Sequence, residues 1–147
     1  MSERTVFQSI PNKRVLTTTA EASVYDAACI MTRANCGSVI VVDADGAMAG
    51  IVTERDLMTK VVAREVDPAK TAVSEIMTKH PRFAMPETLV SQALLIMKDG
   101  GFRHLPVLAA TGKIIGMFSI RDASPKELSE ADRQIEYVEE LEDAVGY

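Results

Sequence analysis

GIVTERD at residues 50–56 and GMFSIRD at residues 116–122 are two versions of one pattern, 66 positions apart. Each version joins a strand-like apolar pair to a hydroxyl residue, an arginine and an aspartate. Sliding the sequence against itself by 66 residues aligns residues 7–57 with residues 73–123 without a gap, and 13 of the 51 aligned pairs are identical. Two copies of this length are too few and too long for a solenoid. We therefore expect two units that face each other across a pseudo-twofold axis.

The hydrophobic pattern within each copy predicts the order strand, helix, strand, strand, helix. In the first copy, residues 15–18 resemble a short strand and residues 24–36 carry apolar side chains at helical spacing. The apolar runs 39–42 and 48–52 flank the turn-forming sequence Asp-Ala-Asp-Gly, which predicts a hairpin. A second helix is expected from residue 54 to about residue 63. Because such a sheet cannot bury both faces alone, the mixed α and β units should pack together and leave a ligand cleft between them.

The domain boundaries follow from the repeat. We place the first domain at residues 7–66, the second at residues 73–123 and a C-terminal helix at residues 124–147. Ser124 and Glu127 have the spacing of a capping box, and Pro125 suits the first turn. The apolar stripe of this helix is expected to dock on the body or on a partner subunit: Leu128, Ala131, Ile135, Val138 and Leu141.

Charge and composition exclude several classes of function. The net charge is −5, but residues 126–147 carry eight acids and two bases, which leaves the rest of the chain at +1. That distribution argues against a nucleic-acid binder and favours a small anionic ligand. No apolar run approaches the roughly 20 residues of a membrane helix, and no secretory signal is visible, so we expect a cytoplasmic protein without a membrane partner.

The two cysteines do not predict a metal site. Cys29 and Cys36 lie seven residues apart and lack the further ligands that zinc requires. We expect two buried thiols, because free cysteine is usually a small core residue. A redox role for the pair stays an open alternative.

The doubled motif has two interpretations. A hydroxyl residue followed three positions later by an acid is a capping box, so Thr53 with Asp56, and Ser119 with Asp122, could serve local stability alone. Alternatively, a hydroxyl and an arginine at a helix start suit a phosphate, and the carboxylate can accept hydrogen bonds from the two hydroxyls of a ribose. Two glycines would let the backbone approach a base: Gly50 and Gly116.

The two motifs, with RHLPV at residues 103–107 and SEIMT at residues 74–78, resemble the cystathionine β-synthase (CBS) domain family. The resemblance covers about residues 7–123. It implies two tandem β-α-β-β-α CBS domains, the pair known as a Bateman module, packed about a pseudo-twofold axis and followed by a C-terminal helix. It further implies a stand-alone regulatory module that binds AMP, ADP, ATP, NAD(H) or S-adenosylmethionine, uses no catalytic cofactor, forms a homodimer and signals to a separate protein.

The resemblance also implies roles for single residues. Asp56 and Asp122 would hold the ribose hydroxyls, and Thr53 and Ser119 would reach phosphate. Four side chains are candidate phosphate neighbours: Arg55, Arg121, Arg103 and His104. Two residues at matching strand entries are candidates for the base pockets: Val15 and Pro81. The sequence SIRDASPKE departs from the family pattern, because its proline should shorten or displace the helix after Ser119.

Two other functions compete with a ligand sensor. The first is an interaction or scaffold module whose motifs are only helix caps. The second is an enzyme, for which His104, Ser119 and Asp122 suggest a hydrolytic triad. We expect no catalysis, because the sequence around Ser119 does not resemble a nucleophile elbow.

Overall fold

The computed structural model describes residues 3–11 and 15–145. The first copy contains β1 Thr17–Thr19, α2 Val24–Ala34, β2 Ser38–Val42, β3 Met48–Thr53 and α3 Glu54–Leu57, which continues as a π-helical turn Met58–Val62. The second contains β4 Thr78–Lys79, α4 Val90–Gly100, β5 His104–Leu108, β6 Ile114–Ser119 and a 3-10 turn Ile120–Asp122. A short helix α1 Val6–Ser9 begins the first copy, a 3-10 turn Val73–Glu75 begins the second, and α5 Pro125–Val145 ends the described chain.

The two hairpins have the same register. Ser38 of β2 pairs with Thr53 of β3, and His104 of β5 pairs with Ser119 of β6. Each residue of the second pair lies 66 positions after its counterpart in the first pair. Both hairpins also carry a β-bulge at the matching position. The predicted hairpins and the mixed α and β fold are therefore confirmed.

The first strand differs between the copies. β1 runs parallel to β2, with Thr18 opposite Val41. The matching contact in the second copy is a single parallel bridge between Ala84 and Val107. In the first copy Ile40 N donates to Leu16 O at 3.0 Å, whereas the matching residue of β5 is Pro106, which has no N–H to donate. The predicted order strand, helix, strand, strand, helix thus holds in the first copy. In the second copy a single bridge replaces the counterpart of β1, and a 3-10 turn replaces the last helix.

Each copy completes the hydrophobic core of the other. We call residues 4–10 the first leader and residues 71–79 the second leader. Val6 of the first leader is fully buried among α4, β5 and β6, whereas Val73 of the second leader is fully buried among α2, β2 and β3. β4 pairs with β3 in the four-stranded sheet β1-β2-β3-β4. The leaders are therefore exchanged across the pseudo-twofold axis, which holds the two copies together.

The exchange breaks the 66-residue register by one position. Val6 donates its N–H to Thr88 O at 2.7 Å, and Val73 donates to Ala22 O at 2.8 Å. The two acceptors are 66 residues apart, but the two donors are 67 apart. The α-helical turn of the first leader has four residues and the tighter 3-10 turn of the second has three, so the α-helical turn accommodates the extra residue.

Helix α5 packs along only part of its length. The predicted capping box is confirmed, since Ser124 N donates to Glu127 Oε1 at 2.8 Å and Glu127 N donates to Ser124 Oγ at 3.1 Å. Ala131 is buried against the second core. Val138 and Leu141 are about half exposed, so the apolar stripe docks on the body at its beginning and leaves the body further along.

The expectation of two buried thiols is wrong for Cys36. Asn35 adopts the left-handed conformation that ends α2, and the chain turns outward there. Cys36 is consequently exposed, while Cys29 is half-buried.

Candidate functional site

The first motif lies where β3 turns into α3. Thr53 is the N-cap residue: its Oγ1 accepts from Asp56 N at 3.3 Å, and Asp56 Oδ2 accepts from Thr53 N at 2.9 Å and from Thr53 Oγ1 at 3.2 Å. The other carboxylate oxygen, Oδ1, lies 3.1 Å from Lys60 Nζ. Asp56 is only 8% exposed, so a buried carboxylate is held by hydrogen bonds and one cation.

The second motif is built alike but ends sooner. Asp122 Oδ2 accepts from Ser119 N at 2.8 Å, and Ser119 Oγ accepts from Arg121 N at 3.3 Å. Ala123 then takes an extended conformation, with φ −82° and ψ 145°, before α5 starts at Pro125. The predicted displacement of this helix by the proline-containing sequence is confirmed.

Side chains of the first motif reach the second copy. Arg55 Nη1 donates to Gly101 O at 3.2 Å. Glu54 and His104 approach each other over Gly37, where an added Cβ would meet Glu54 Oε1 and would lie 3.1 Å from His104 Nε2. A side chain at position 37 would therefore have to push aside the Glu54 carboxylate and crowd the His104 ring.

His104 sits at this junction, half-buried, opposite Ser119 in the hairpin. Burial lowers the pKa of His104 from its ordinary value, while the nearby Glu54 carboxylate acts in the opposite direction. The charge of Arg121 adds to the lowering. Because Ser119 Oγ is engaged with Arg121 N, and no hydrogen bond joins the imidazole to Ser119 or Asp122 in the described part of the chain, the arrangement is not that of a hydrolytic triad.

Four further residues were predicted to contact the ligand: Arg103, Arg121, Val15 and Pro81. Arg103 and Arg121 are exposed, and Arg103 contributes its main-chain carbonyl to Ile120 N at 3.1 Å. Val15 and Pro81 are half-buried and precede β1 and the Ala84 bridge respectively. Their predicted contacts with a base stay predictions.

Two cations of the site were missed by sequence reasoning. Lys60 stands four residues after Asp56 on a helix, a spacing that signals an ion pair. Arg4 donates to Asp122 O at 3.0 Å and to Glu127 Oε1 at 2.7 Å. The Arg4 contacts span 118 and 123 residues, so no local pattern could have indicated them.

The described residues contain neither a metal-binding cluster nor a membrane-spanning helix. Among residues 3–11 and 15–145, no group of three or more His, Cys, Asp or Glu side chains is placed to hold a metal ion. No helix in those ranges combines the length and apolar character needed to cross a membrane.

Comparison with known proteins assigns the family. The model of the CBS domain matches the chain twice, at residues 7–63 and 73–124. The chain belongs to the CBS domain family. Its two CBS domains contain the two hairpins and the two hydroxyl and acid motifs described above.

Relatives in sequence are about one-third identical to this chain over the aligned residues. The CBS domain-containing protein CBSCBSPB1 of Arabidopsis thaliana is 33% identical over 134 residues, which is 91% of this chain. A 17.7 kDa protein of Acidianus ambivalens is 36% identical over 118 residues, or 80% of this chain. The chain spans 24% of the Arabidopsis protein and 70% of the Acidianus protein.

Solved structures share the fold of the CBS domain pair. A CBS-domain protein of Burkholderia ambifaria has a TM-score of 0.74 at 39% identity, covering 80% of this chain and 86% of that one. A CBS domain protein of Pyrobaculum aerophilum, solved in complex with AMP, has a TM-score of 0.79 at 20% identity, covering 88% of this chain and 99% of that one. The tandem CBS architecture implied by the family resemblance is thus confirmed.

Proposed function

We propose that the chain is a non-enzymatic regulatory module that binds an adenosine-containing ligand in the groove between its two CBS domains. The candidates are AMP, ADP, ATP, NAD(H) and S-adenosylmethionine. The observation that carries the proposal is the pair of matched motifs, which place Asp56 and Asp122 at equivalent strand ends of two copies that contact each other through Arg55 and His104. The Pyrobaculum protein was solved with AMP, and another neighbour with 5′-methylthioadenosine and S-adenosylmethionine, which supports an adenosyl ligand.

In this proposal the carboxylates of Asp56 and Asp122 accept hydrogen bonds from ribose hydroxyls, and Thr53 and Ser119 face the phosphate or other polar end. The turn after Ser119 is only three residues long, so backbone N–H groups contribute little positive potential there. Side chains must then supply the charge that attracts phosphate: Arg55, Arg103 and Arg121. His104, whose pKa is lowered by burial, would contribute a hydrogen bond. Val15 and Pro81 would line the base pockets.

Regulation would follow from the exchanged leaders. A ligand that contacts both copies can shift their relative position, and a coupling of roughly 1–3 kcal/mol is typical of such effects. We further propose a homodimer, because Tyr25 of α2 and Met58 and Val62 of the π-helical turn are more than half exposed. The separate protein that receives the signal would bind the acidic, half-exposed end of α5.

A scaffold without a ligand is the second candidate. One observation favours it: both motif acids already serve as capping acceptors for Thr53 N and Ser119 N. In that account no nucleotide binds, and the protein would act only by binding partner proteins.

Thermal unfolding with a panel of adenosyl compounds separates these candidates. At a ligand concentration one hundred times Kd, binding should stabilise the folded state by about 2.7 kcal/mol. For a domain of this size, that corresponds to a rise in melting temperature of several degrees. If AMP, ADP, ATP, NADH and S-adenosylmethionine all leave the melting temperature unchanged at millimolar concentration, the sensor proposal is wrong and the scaffold is favoured.

A further inference from the structure

Lys60 joins the first motif to the exchanged second leader. Its Nζ lies 3.1 Å from Asp56 Oδ1 and donates to Ile76 O at 3.0 Å. Asp56 belongs to the first copy, whereas Ile76 belongs to the second leader and is buried in the first core. One ammonium group therefore bridges the proposed ribose-binding carboxylate and the segment that connects the two copies.

The Asp56 carboxylate can accept few hydrogen bonds beyond those it already makes. Oδ2 already accepts two hydrogen bonds from Thr53 and Oδ1 contacts Lys60, so of the roughly four lone-pair sites of the carboxylate only one is left, on Oδ1. The Asp56 side chain is 12% exposed and the Lys60 side chain 31% exposed. Lys60 is the more mobile partner, because its long side chain can turn toward solvent.

The second copy carries the same lysine without the same bridge. Lys126 follows Asp122 by four residues, as Lys60 follows Asp56. The extended backbone at Ala123 breaks the helix between them, and Lys126 is exposed on α5. Within the described residues no ion pair joins Lys126 to Asp122, and the one cation that reaches this motif, Arg4, binds the main-chain carbonyl of Asp122.

We propose that Lys60 makes the two ligand sites unequal and couples the first of them to the second leader. A ribose that donates both of its hydroxyls to Asp56 needs two lone-pair sites and must displace the Lys60 ammonium from Oδ1, so the first site binds more weakly than it would without the lysine. The displaced ammonium also leaves Ile76 O, which loosens the second leader and its strand β4. This inference rests on the adenosyl-ligand function proposed above.

The consequence is an order of filling. The site at Asp122 requires no displaced lysine, so adenosine, which has no phosphate, fills it at lower concentration. The site at Asp56 fills second, and its occupation changes the contact between the copies. A regulatory signal would thus appear only when the concentration of the ligand is high enough to fill the first-copy site.

Lys60→Met tests the bridge, with Lys126→Met as the matched control, because both substitutions remove one ammonium group four residues after a motif aspartate. Both are made in an Asp122→Ala background, so that only the site at Asp56 titrates. The probe is adenosine, which has the ribose hydroxyls but no phosphate that Lys60 could attract. Since a partly exposed ion pair contributes up to about 1 kcal/mol, Lys60→Met should bind adenosine about three- to fivefold more tightly, and Lys126→Met should not change the affinity.

Hydrogen exchange at residues 76–79 measures the leader independently of affinity. Lys60→Met should raise amide exchange there without ligand, and adenosine should raise it in the parent chain but add little in the variant. Far-UV circular dichroism checks that each variant is folded. Equal adenosine affinity and equal leader exchange in the Lys60 and Lys126 variants would overturn the inference.

The two proposals fail in different ways. If the wild-type chain and every variant fail to bind adenosine and AMP, the proposed ligand function is wrong. The proposed competition between ribose and Lys60 at Asp56 is then wrong as well, regardless of the amide exchange measured in the second leader. If AMP binds the wild-type chain but Lys60→Met changes neither affinity nor exchange, the ligand function stands and the role of Lys60 is overturned.

Discussion

Replacing Asp122 with alanine separates the two roles of the doubled motif. In the structure Asp122 Oδ2 accepts from Ser119 N at 2.8 Å, and this capping bond is what the substitution removes in the absence of ligand. Loss of such a cap costs about 0.5–2 kcal/mol of folding free energy. In a chain of this size each kcal/mol shifts the melting temperature by about 2–4 °C, so the variant should stay folded and melt about 1–8 °C lower.

The effect on ligand affinity should be larger. A hydrogen bond to a charged acceptor contributes about 1.5–3 kcal/mol, and each 1.36 kcal/mol is a factor of ten in affinity. Loss of even one ribose hydroxyl bond at Asp122 therefore predicts AMP binding at that site weakened by roughly 10- to 150-fold. Titration calorimetry with AMP measures this directly, and the remaining site at Asp56 should still titrate.

Gln92→Ala is the matched control. Gln92 Oε1 accepts from Leu89 N at 3.0 Å, which is the same kind of capping bond at the start of α4. The control should lower the melting temperature by a comparable amount and leave AMP affinity unchanged. If Asp122→Ala binds AMP as the wild-type chain does, or unfolds outright, Asp122 acts only as a cap and our account of the site is wrong.

Two further predictions concern protonation and the first leader. Because burial lowers the pKa of His104, the unfolded chain binds a proton more readily than the folded one, so the free energy of unfolding should fall as the pH drops below about 6.5. Urea titrations of His104→Gln should show a free energy of unfolding that depends less on pH than that of the wild-type chain. Parallel pH profiles for the two chains would contradict this role of His104. Arg4→Ala should reduce the free energy of unfolding by about 0.5–1 kcal/mol at pH 7, since Arg4 pairs with Glu127 at 2.7 Å but is partly exposed. The hydrogen bond from Arg4 lowers the pKa of Glu127, so the difference in free energy of unfolding between Arg4→Ala and wild type should shrink as the pH falls below about 4.5. An equal difference at pH 7 and pH 3 would contradict this.

The parts of the fold that sequence could predict are those set by local pattern. The hairpins follow from alternating apolar runs around turn-forming residues, and the glycines at the two turns, Gly46 and Gly112, have the positive φ that such turns need. The capping box at Ser124 was predicted and is confirmed. The doubled motif was predicted as hydroxyl and acid pairs at strand-to-helix junctions, and the structure places Thr53 and Ser119 there.

The parts that sequence could not predict depend on contacts between distant segments. The hydrophobic pattern marks Val6 and Val73 as apolar but does not say that each is buried in the core of the opposite copy. The one-residue slip between them follows from the difference between an α-helical and a 3-10 turn, which a gapless alignment cannot represent. The approach of Glu54 and His104 over Gly37 depends on how the two copies pack, and so no motif predicts it.

The central claim is that the carboxylates of Asp56 and Asp122 bind the ribose of an adenosyl ligand. A crystal structure of the chain grown with saturating AMP tests it most directly. We predict electron density for AMP between the two CBS domains, with ribose hydroxyl oxygens within hydrogen-bond distance of both carboxylates when both sites are filled. A structure in which AMP is absent from the groove, or binds elsewhere while both acids keep only their capping contacts, would contradict the account.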